Sequence, residues 1–193
     1  FLMLFFFVPI SLETRTILTL WLKIVPDYAV VFTQLTLMST MCMMLGNTLI
    51  TAIQATGQIR MYSIVMGLMA LSNFPLTWIA FALKASPVWA YIIYLAIFFC
   101  MIFVRLYMAK DKIHLSAWDF VNKVLLRSAC TTVFAFLLPG LLCVFQADSI
   151  LRMLEVCFVS VLGSLLAIYF VGLDKLEREF VNNMIRRRVL KHS

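Results

Sequence analysis

The segment at residues 45–65 places a short polar turn between two apolar runs that are each long enough to cross a bilayer. Gly57 and Gln58 interrupt the apolar pattern there, and Arg60 follows them. The chain is 64% hydrophobic and only 13% charged, whereas a soluble domain is about 25% charged. A core of 193 residues cannot hide that much apolar surface from water. The pattern therefore predicts an all-α fold, a polytopic bundle of transmembrane helices with a turn at Gly57.

Five complete spans fit the apolar runs, because a transmembrane helix needs about 20 predominantly apolar residues. We predict them at residues 28–56, 62–83, 88–108, 128–146 and 151–173, the last two forming a terminal hairpin. Residues 1–10 amount to half a span, and no basic segment of the kind that opens a secretory signal precedes them. We interpret them as a truncated transmembrane helix, and the chain as the C-terminal part of a longer protein.

The polar segments between and after the spans predict an orientation. Residues 11–27 indicate an outer interfacial segment, residues 109–127 a cytoplasmic amphipathic helix, and residues 174–193 a basic tail helix resting on anionic lipid. Of the 16 Lys and Arg residues, only Arg15, Lys23, Lys84 and Arg152 fall on the outer side of this arrangement. The positive-inside tendency then predicts that the turn at Gly57, Gln58 and Arg60 and the C-terminus are cytoplasmic.

Uncharged polar residues recur along the first complete span at steps of three and four residues, if Met44 is counted at the one position where a polar residue is missing. They are Thr33, Thr36, Thr40, Asn47, Thr51 and Gln54, and they share one face of a helix. We call this set the polar stripe. It has two interpretations. Such groups can join helices, each contributing about 0.6 kcal/mol, or they can line a water-filled cavity that a polar solute crosses.

The second span carries a line of small and polar residues, which are Ser63, Gly67, Ala70, Asn73 and Thr77. Small side chains let two backbones approach closely, so we expect this face to pack on a neighbouring helix. Asn73 is also a candidate cavity residue. Pro75 predicts a kink, which is found both in static bundles and in transporter helices that bend. In the fifth span, Ser160, Ser164 and Ala167 predict another close-packing face.

Residues with reactive side chains give little support for catalysis. The five cysteines lie inside apolar runs without a CxxC spacing, and His114 and His192 fall in a loop and in the tail. We find no paired carboxylates, metal-ligand cluster or Gly-rich phosphate loop, so we expect no enzyme, cofactor or metal site. The net charge of +7 resides mainly in juxtamembrane segments rather than in a base-reading surface, which argues against nucleic acid as a partner.

Two charged positions lie at the ends of spans. Arg105 is close to the inner end of the third span, from where its side chain is expected to reach the lipid headgroups. Glu155 follows Arg152 by one helical turn near the outer end of the fifth span. A local ion pair and a contact with substrate both account for that spacing.

Three stretches resemble a known family of membrane proteins. Residues 17–38 (ILTLWLKIVPDYAVVFTQLTLM), 47–64 (NTLITAIQATGQIRMYSI) and 71–83 (LSNFPLTWIAFAL) are similar to the later part of bacterial polysaccharide transporters of the O-antigen flippase type. That superfamily also contains multidrug and toxin extrusion pumps and lipid II flippases. The most specific part is TAIQATGQIRMY at residues 51–62, where such proteins have a cytoplasmic turn with a Thr-Gly pair and a following basic residue.

The resemblance implies a bundle of 12 to 14 helices in two pseudo-symmetric lobes around a central cavity, in the bacterial inner membrane. Its members act in polysaccharide and lipopolysaccharide synthesis, moving a polyprenyl-pyrophosphate-linked oligosaccharide across the membrane by alternating access. This chain would be the end of the second lobe and would need a missing N-terminal lobe as its partner. An ion-coupled multidrug or cation exporter of the same superfamily is the alternative. Such a pump needs a carboxylate within the membrane, and between residues 28 and 173 only Glu155 comes near that position.

Overall fold

A computed structural model describes residues 1–55, 57, 59–113, 117–146, 149–173, 177–179 and 183. All the regular secondary structure in those ranges is helical, which confirms the predicted all-α fold. Five of the helices described are long and apolar enough to cross a membrane: Ala29–Ala55, Ile59–Ala82, Val88–Lys110, Val124–Phe145 and Ile150–Gly172. Two shorter helices, Leu4–Leu12 and Thr14–Leu22, would make a sixth span if they cross together. The chain is a multi-pass helical membrane protein.

The chain divides into two compact units, which we describe separately. Residues Glu13–Leu125 form the three-span unit, and residues Phe1–Leu12 with Leu126–Ser193 form the hairpin unit. The helices of the three-span unit are α2 (Thr14–Leu22), α3 (Ala29–Ala55), α4 (Ile59–Leu71), α5 (Asn73–Ala82), α6 (Val88–Ile113) and α7 (Ala117–Phe120). Those of the hairpin unit are α1 (Leu4–Leu12), α8 (Arg127–Phe145) and α9 (Ile150–Ala167). A π-helical segment at the end of the three-span unit, Val121–Leu126, leads into α8, and a second one, Ile168–Gly172, follows α9.

Helix α6 is the centre of the three-span unit, because α3, α4 and α5 all pack on it. The buried cluster takes residues from four helices: Leu49 and Ile53 from α3, Tyr62 and Met66 from α4, Ile97, Met101, Leu106 and Ala109 from α6, and Phe120 from α7. Aromatic side chains elsewhere on α6, such as Phe99 and Phe103, stay exposed. A helix that is apolar on every side is expected where lipid covers what protein does not.

The face of α3 that meets α6 repeats every seven residues. Ser39, Gly46 and Ile53 are buried, and Phe32 extends the same line by stacking on Tyr91 of α6. A seven-residue repeat keeps one seam of a helix against its partner over several turns. We call this line the α3 seam.

The second span is interrupted at Ser72, between α4 and α5. Pro75 is the third residue of α5, where its missing N–H costs no hydrogen bond. The Ser72 hydroxyl donates to the Met69 carbonyl at 2.6 Å. The proline is therefore accommodated by ending one helix and starting another, at the depth where the kink was predicted.

The small residues of the second span do not pack within the described chain, so that prediction is wrong here. Ser63, Gly67 and Ala70 are exposed, and a Cβ placed on Gly67 would meet no atom within 4 Å. The packed face of α4 instead carries Tyr62 and Met66. These large side chains bury far more apolar area against α6 than the small ones could, which decides the orientation of the helix.

The hairpin unit is held along its middle by small residues. Thr131, Ala135 and Pro139 are buried on α8, and Val156, Ser160, Gly163, Ser164 and Ala167 are buried on α9. The predicted close-packing face of the fifth span is therefore confirmed. Helix α1 packs on both partners, with the Phe7 and Phe136 rings edge to face at 5.5 Å between centroids.

Pro139 lies inside α8, which continues through it, so the Ala135 carbonyl oxygen loses its usual helical donor. That oxygen faces Gly163, at 3.8 Å from the position where a Cβ would stand. Close approach at Gly163 thus places α9 against the point where Pro139 has freed a backbone acceptor. A Cα–H···O contact is the interaction available there.

Polar groups join both ends of the hairpin. At one end, Arg127 Nε donates to the Val171 carbonyl and Arg178 Nη2 to the Phe170 carbonyl, each at 2.9 Å. Cations at the C-terminal end of a helix stabilise its free carbonyls and its dipole. At the other end, Gln146 Nε2 donates to Glu155 Oε2 at 3.0 Å, and Arg152 Nη1 donates to the Gln146 carbonyl at 2.9 Å.

Several predicted features lie outside the described residues. They are Gln58 of the cytoplasmic turn, His114 of the loop, and the basic tail apart from residues 177–179 and 183.

Candidate functional site

The polar stripe lies beside the α3 seam rather than in it. Thr33, Thr40, Asn47 and Gln54 each follow a seam residue by one position, and one residue turns an α-helix by about 100°. Accordingly, Thr33, Thr40 and Asn47 are half-buried, and Thr36, Thr51 and Gln54 are exposed. The stripe therefore occupies a face of α3 that α6 leaves largely uncovered.

The threonine hydroxyls of the stripe all donate within α3. Thr33 bonds the Ala29 carbonyl at 2.9 Å, Thr36 the Phe32 carbonyl at 2.7 Å, Thr40 the Thr36 carbonyl at 2.8 Å and Thr51 the Asn47 carbonyl at 3.3 Å. A hydroxyl that has given its proton still has oxygen lone pairs that accept. What these threonines offer outward is a line of hydrogen-bond acceptors.

The amide groups of the predicted site are arranged less uniformly. Asn47 Nδ2 lies 3.8 Å from the Met44 sulfur, a weak acceptor, so its strong bonding capacity is little used by that contact. Asn73 opens α5, a helix that packs on α6, and its Oδ1 accepts from the Thr77 hydroxyl at 3.5 Å. It therefore belongs to a different helix from the polar stripe.

Arg105 was expected to reach the lipid headgroups, and the structure shows that this prediction is wrong. Its side chain is only 7% exposed, so it does not extend to the headgroups. Its Nη1 lies too close to the place where a Cβ of Gly46 would be for that carbon to fit, and its Cζ and Cδ lie 3.3 and 3.4 Å from that point. Because Gly46 has no side chain, the α3 seam has a notch there, and the guanidinium group fills it.

The buried Arg105 is a cation in an apolar environment. No Asp or Glu occurs between Tyr28 and Lys110, and the buried Arg105 Nε has no hydrogen-bond partner in the structure. Charged side chains within membrane helices are costly unless they meet polar groups or water. Arg105 therefore places a guanidinium group against Gly46, one residue from Asn47 of the polar stripe.

The turn between α3 and α4 has the geometry that its glycine suggests. Gly57 has φ of +73°, a left-handed conformation that side chains disfavour, and its N–H donates to the Gln54 carbonyl at 3.1 Å. Gly57 and Arg60 are both exposed. The turn thus presents a basic side chain outward.

Two acidic residues have distinct local roles. Glu155 accepts from Gln146 at the hairpin turn, where Arg152 bonds the Gln146 backbone, so all three residues act in one local arrangement. Glu13 is fully buried and accepts from the Thr16 hydroxyl at 2.6 Å. Its burial was not predicted, because it falls in a segment that we interpreted as interfacial.

The five cysteines are free thiols, and the described residues contain no group of three or more His, Cys, Asp or Glu side chains that could hold a metal ion. The candidate site is the polar stripe together with Arg105, which lies against Gly46 beside Asn47. Comparison of the chain with profiles of known families, with curated proteins and with solved structures finds no match.

Proposed function

We propose that the protein is part of a transporter that moves a polyprenyl-pyrophosphate-linked oligosaccharide across the bacterial inner membrane by alternating access. In this proposal the chain forms the end of a second lobe, an N-terminal lobe is its partner, and the C-terminal tail rests on anionic lipid in the cytoplasm. The observation that carries the proposal is a buried cation, Arg105, next to a line of uncharged acceptors on α3.

The polar stripe and Arg105 match the two parts of such a cargo, its sugar hydroxyls and its pyrophosphate. Sugar hydroxyls are donors, and the threonine oxygens of the polar stripe accept without requiring a charge. Pyrophosphate is an anion with planar sets of oxygens, which guanidinium binds through paired, charge-assisted hydrogen bonds. Arg105 is the cationic group that would bind the pyrophosphate in this proposal.

Alternating access also needs helices that can change their packing. The break at Ser72 and the proline within α8 are points where bending costs few hydrogen bonds. At the α3 seam, Arg105 rests in the notch at Gly46 without a hydrogen bond from its Nε. Its long side chain can swing from the notch toward a phosphate when α3 and α6 separate.

The test is a strain that lacks the complete gene containing this chain. Lipid-linked repeat units should accumulate on the inner face, and surface glycan should disappear. Complementation with Arg105→Gln should restore roughly a tenth or less of the surface glycan, since hydrogen bonds to charged groups contribute about 1.5–3 kcal/mol. The matched control is Arg60→Gln, which removes an exposed arginine and should complement fully. Normal surface glycan in the knockout would exclude this function.

One observation favours a second candidate, an ion-coupled exporter. Glu13 is a fully buried carboxylate at the start of α2, and exchange of a proton or sodium ion needs such a group. This candidate predicts that drug or cation efflux from vesicles stops in Glu13→Gln. Glu155→Gln is the comparison, because that carboxylate is only partly buried and lies at the hairpin turn.

A further inference from the structure

Three aromatic rings form a stack at the Tyr28 end of α3. Phe32 lies against Tyr91 of α6 with 4.4 Å between centroids and 16° between planes. Tyr28 lies over Phe32 at 6.1 Å and 28°. We call Tyr28, Phe32 and Tyr91 the aromatic stack. It joins two helices and ends in a tyrosine whose side chain is half exposed.

The backbone at Tyr28 is strained. Its φ is +67°, a left-handed conformation that costs a residue with a side chain about 1–2 kcal/mol. The same residue directly precedes α3, and its carbonyl accepts from the Phe32 N–H at 2.8 Å. Tyrosines that only anchor a helix at the headgroup level need neither this conformation nor a parallel stack. The aromatic stack therefore calls for a further explanation.

The aromatic stack is continuous with the polar stripe. Thr33 follows Phe32 directly, and Thr36 lies one turn further along α3 with its hydroxyl bonded to the Phe32 carbonyl. Flat ring faces and outward acceptor oxygens are thus neighbours on the same helix. That pairing suits a molecule with one C–H face and a rim of hydroxyl donors.

A pyranose ring has that form. Its axial C–H groups make an apolar face with a slight positive charge, which is attracted to the negative face of an aromatic ring. Its hydroxyls donate around the edge, where threonine oxygens can accept. We propose that the aromatic stack binds a pyranose ring of the cargo oligosaccharide, with Thr33 and Thr36 accepting from its hydroxyls. This inference rests on the proposed function and names a sugar contact within it.

The test uses the protein with its complete natural chain, purified in detergent micelles. Two probes are compared: undecaprenyl pyrophosphate bearing a trisaccharide, and undecaprenyl pyrophosphate alone. Native mass spectrometry gives the affinity for each. The wild-type protein should bind the glycosylated probe more tightly, because only that probe reaches the aromatic stack.

Tyr28→Gly is the main variant, because glycine accepts the left-handed backbone while the ring is lost. It should keep or raise the thermal stability of the protein and lose up to about tenfold in affinity for the glycosylated probe. Its affinity for the bare probe should not change. Phe32→Leu should act in the same direction, and Tyr28→Phe should retain binding. Trp89→Leu is the matched control, since Trp89 is an equally exposed aromatic near the same end of α6 that takes no part in the stack.

Three results would overturn the inference. If the wild-type protein bound the two probes equally tightly, the aromatic stack would not contact the sugar, and the proposed function would be unaffected. If Trp89→Leu lost as much affinity for the glycosylated probe as Tyr28→Gly, the aromatic stack would only anchor its helices at the membrane interface. Failure of the wild-type protein to bind either probe would refute the proposed function and this inference together.

Discussion

Replacing Gly46 with alanine gives the sharpest test of the packing between α3 and α6. The added Cβ would clash with Arg105 Nη1 and would lie 3.3 Å from Cζ and 3.4 Å from Cδ. Nη1 would have to move away, and Cζ and Cδ would each have to shift by a few tenths of an ångström. The guanidinium group therefore cannot keep its present position in the notch.

The expected change in the free energy of unfolding follows from two opposing effects. Overpacking of a close contact costs about 1–3 kcal/mol, while alanine is a better helix former than glycine by about 1 kcal/mol. Gly46→Ala should therefore lower the free energy of unfolding by about 0–2 kcal/mol. In an Arg105→Ala background the clash is absent, and the same change should stabilise the protein by up to about 1 kcal/mol. The expected coupling between the two sites is about 1–3 kcal/mol.

The assay is reversible unfolding in mixed micelles, followed by circular dichroism, for the single and double variants. Gly67→Ala is the matched control, because that glycine lies in an apolar helix with no atom within 4 Å of its would-be Cβ. It should gain stability with or without Arg105. If Gly46→Ala stabilises the wild-type protein as much as Gly67→Ala does, the guanidinium does not occupy the notch, and the placement of the charge beside the polar stripe is wrong.

Two further substitutions test other close contacts by the same unfolding assay. Gly57→Ala forces a side chain into a left-handed turn, so it should cost about 1–2 kcal/mol, and an unchanged stability would contradict the turn geometry. Gly163→Ala should change stability by less than about 1 kcal/mol, because its Cβ would make ordinary contacts with Ala135, Leu138 and Pro139. Gly163→Leu should lose about 1–3 kcal/mol, and equal stabilities of the two Gly163 variants would show that α8 and α9 do not approach closely there.

The spans could be predicted from the sequence because each depends on the length of an apolar run. The predicted first span at residues 28–56 and the observed α3, Ala29–Ala55, differ by one residue at each end. The close packing of Ser160, Ser164 and Ala167 could also be predicted, since small residues at helical spacing allow backbones to approach. These features are local, and no knowledge of a partner helix is needed.

Features that depend on a partner helix could not be predicted. The buried line of α3 is Ser39, Gly46 and Ile53, and no periodicity distinguishes it from the polar stripe one residue away. The position of Arg105 depends on Gly46, a residue 59 positions earlier in the chain whose missing side chain makes room for it. A glycine within a seven-residue repeat was the available signal, but only the packed structure identifies what fills the space.

Hydrogen bonds join α8 and α9 at the two ends of the hairpin, and the helices between those ends meet through small side chains. Arg127 bonds the far end of the second helix, and Gln146 and Glu155 join the helices at the turn. Midway, the buried Ser160 and Ser164 hydroxyls make no hydrogen bond within the structure described. Sliding of one helix along the other would break both sets of end bonds, whereas bowing about Pro139 would break neither. The consequence is that the hairpin can bend at Pro139, whereas sliding of α8 along α9 is resisted.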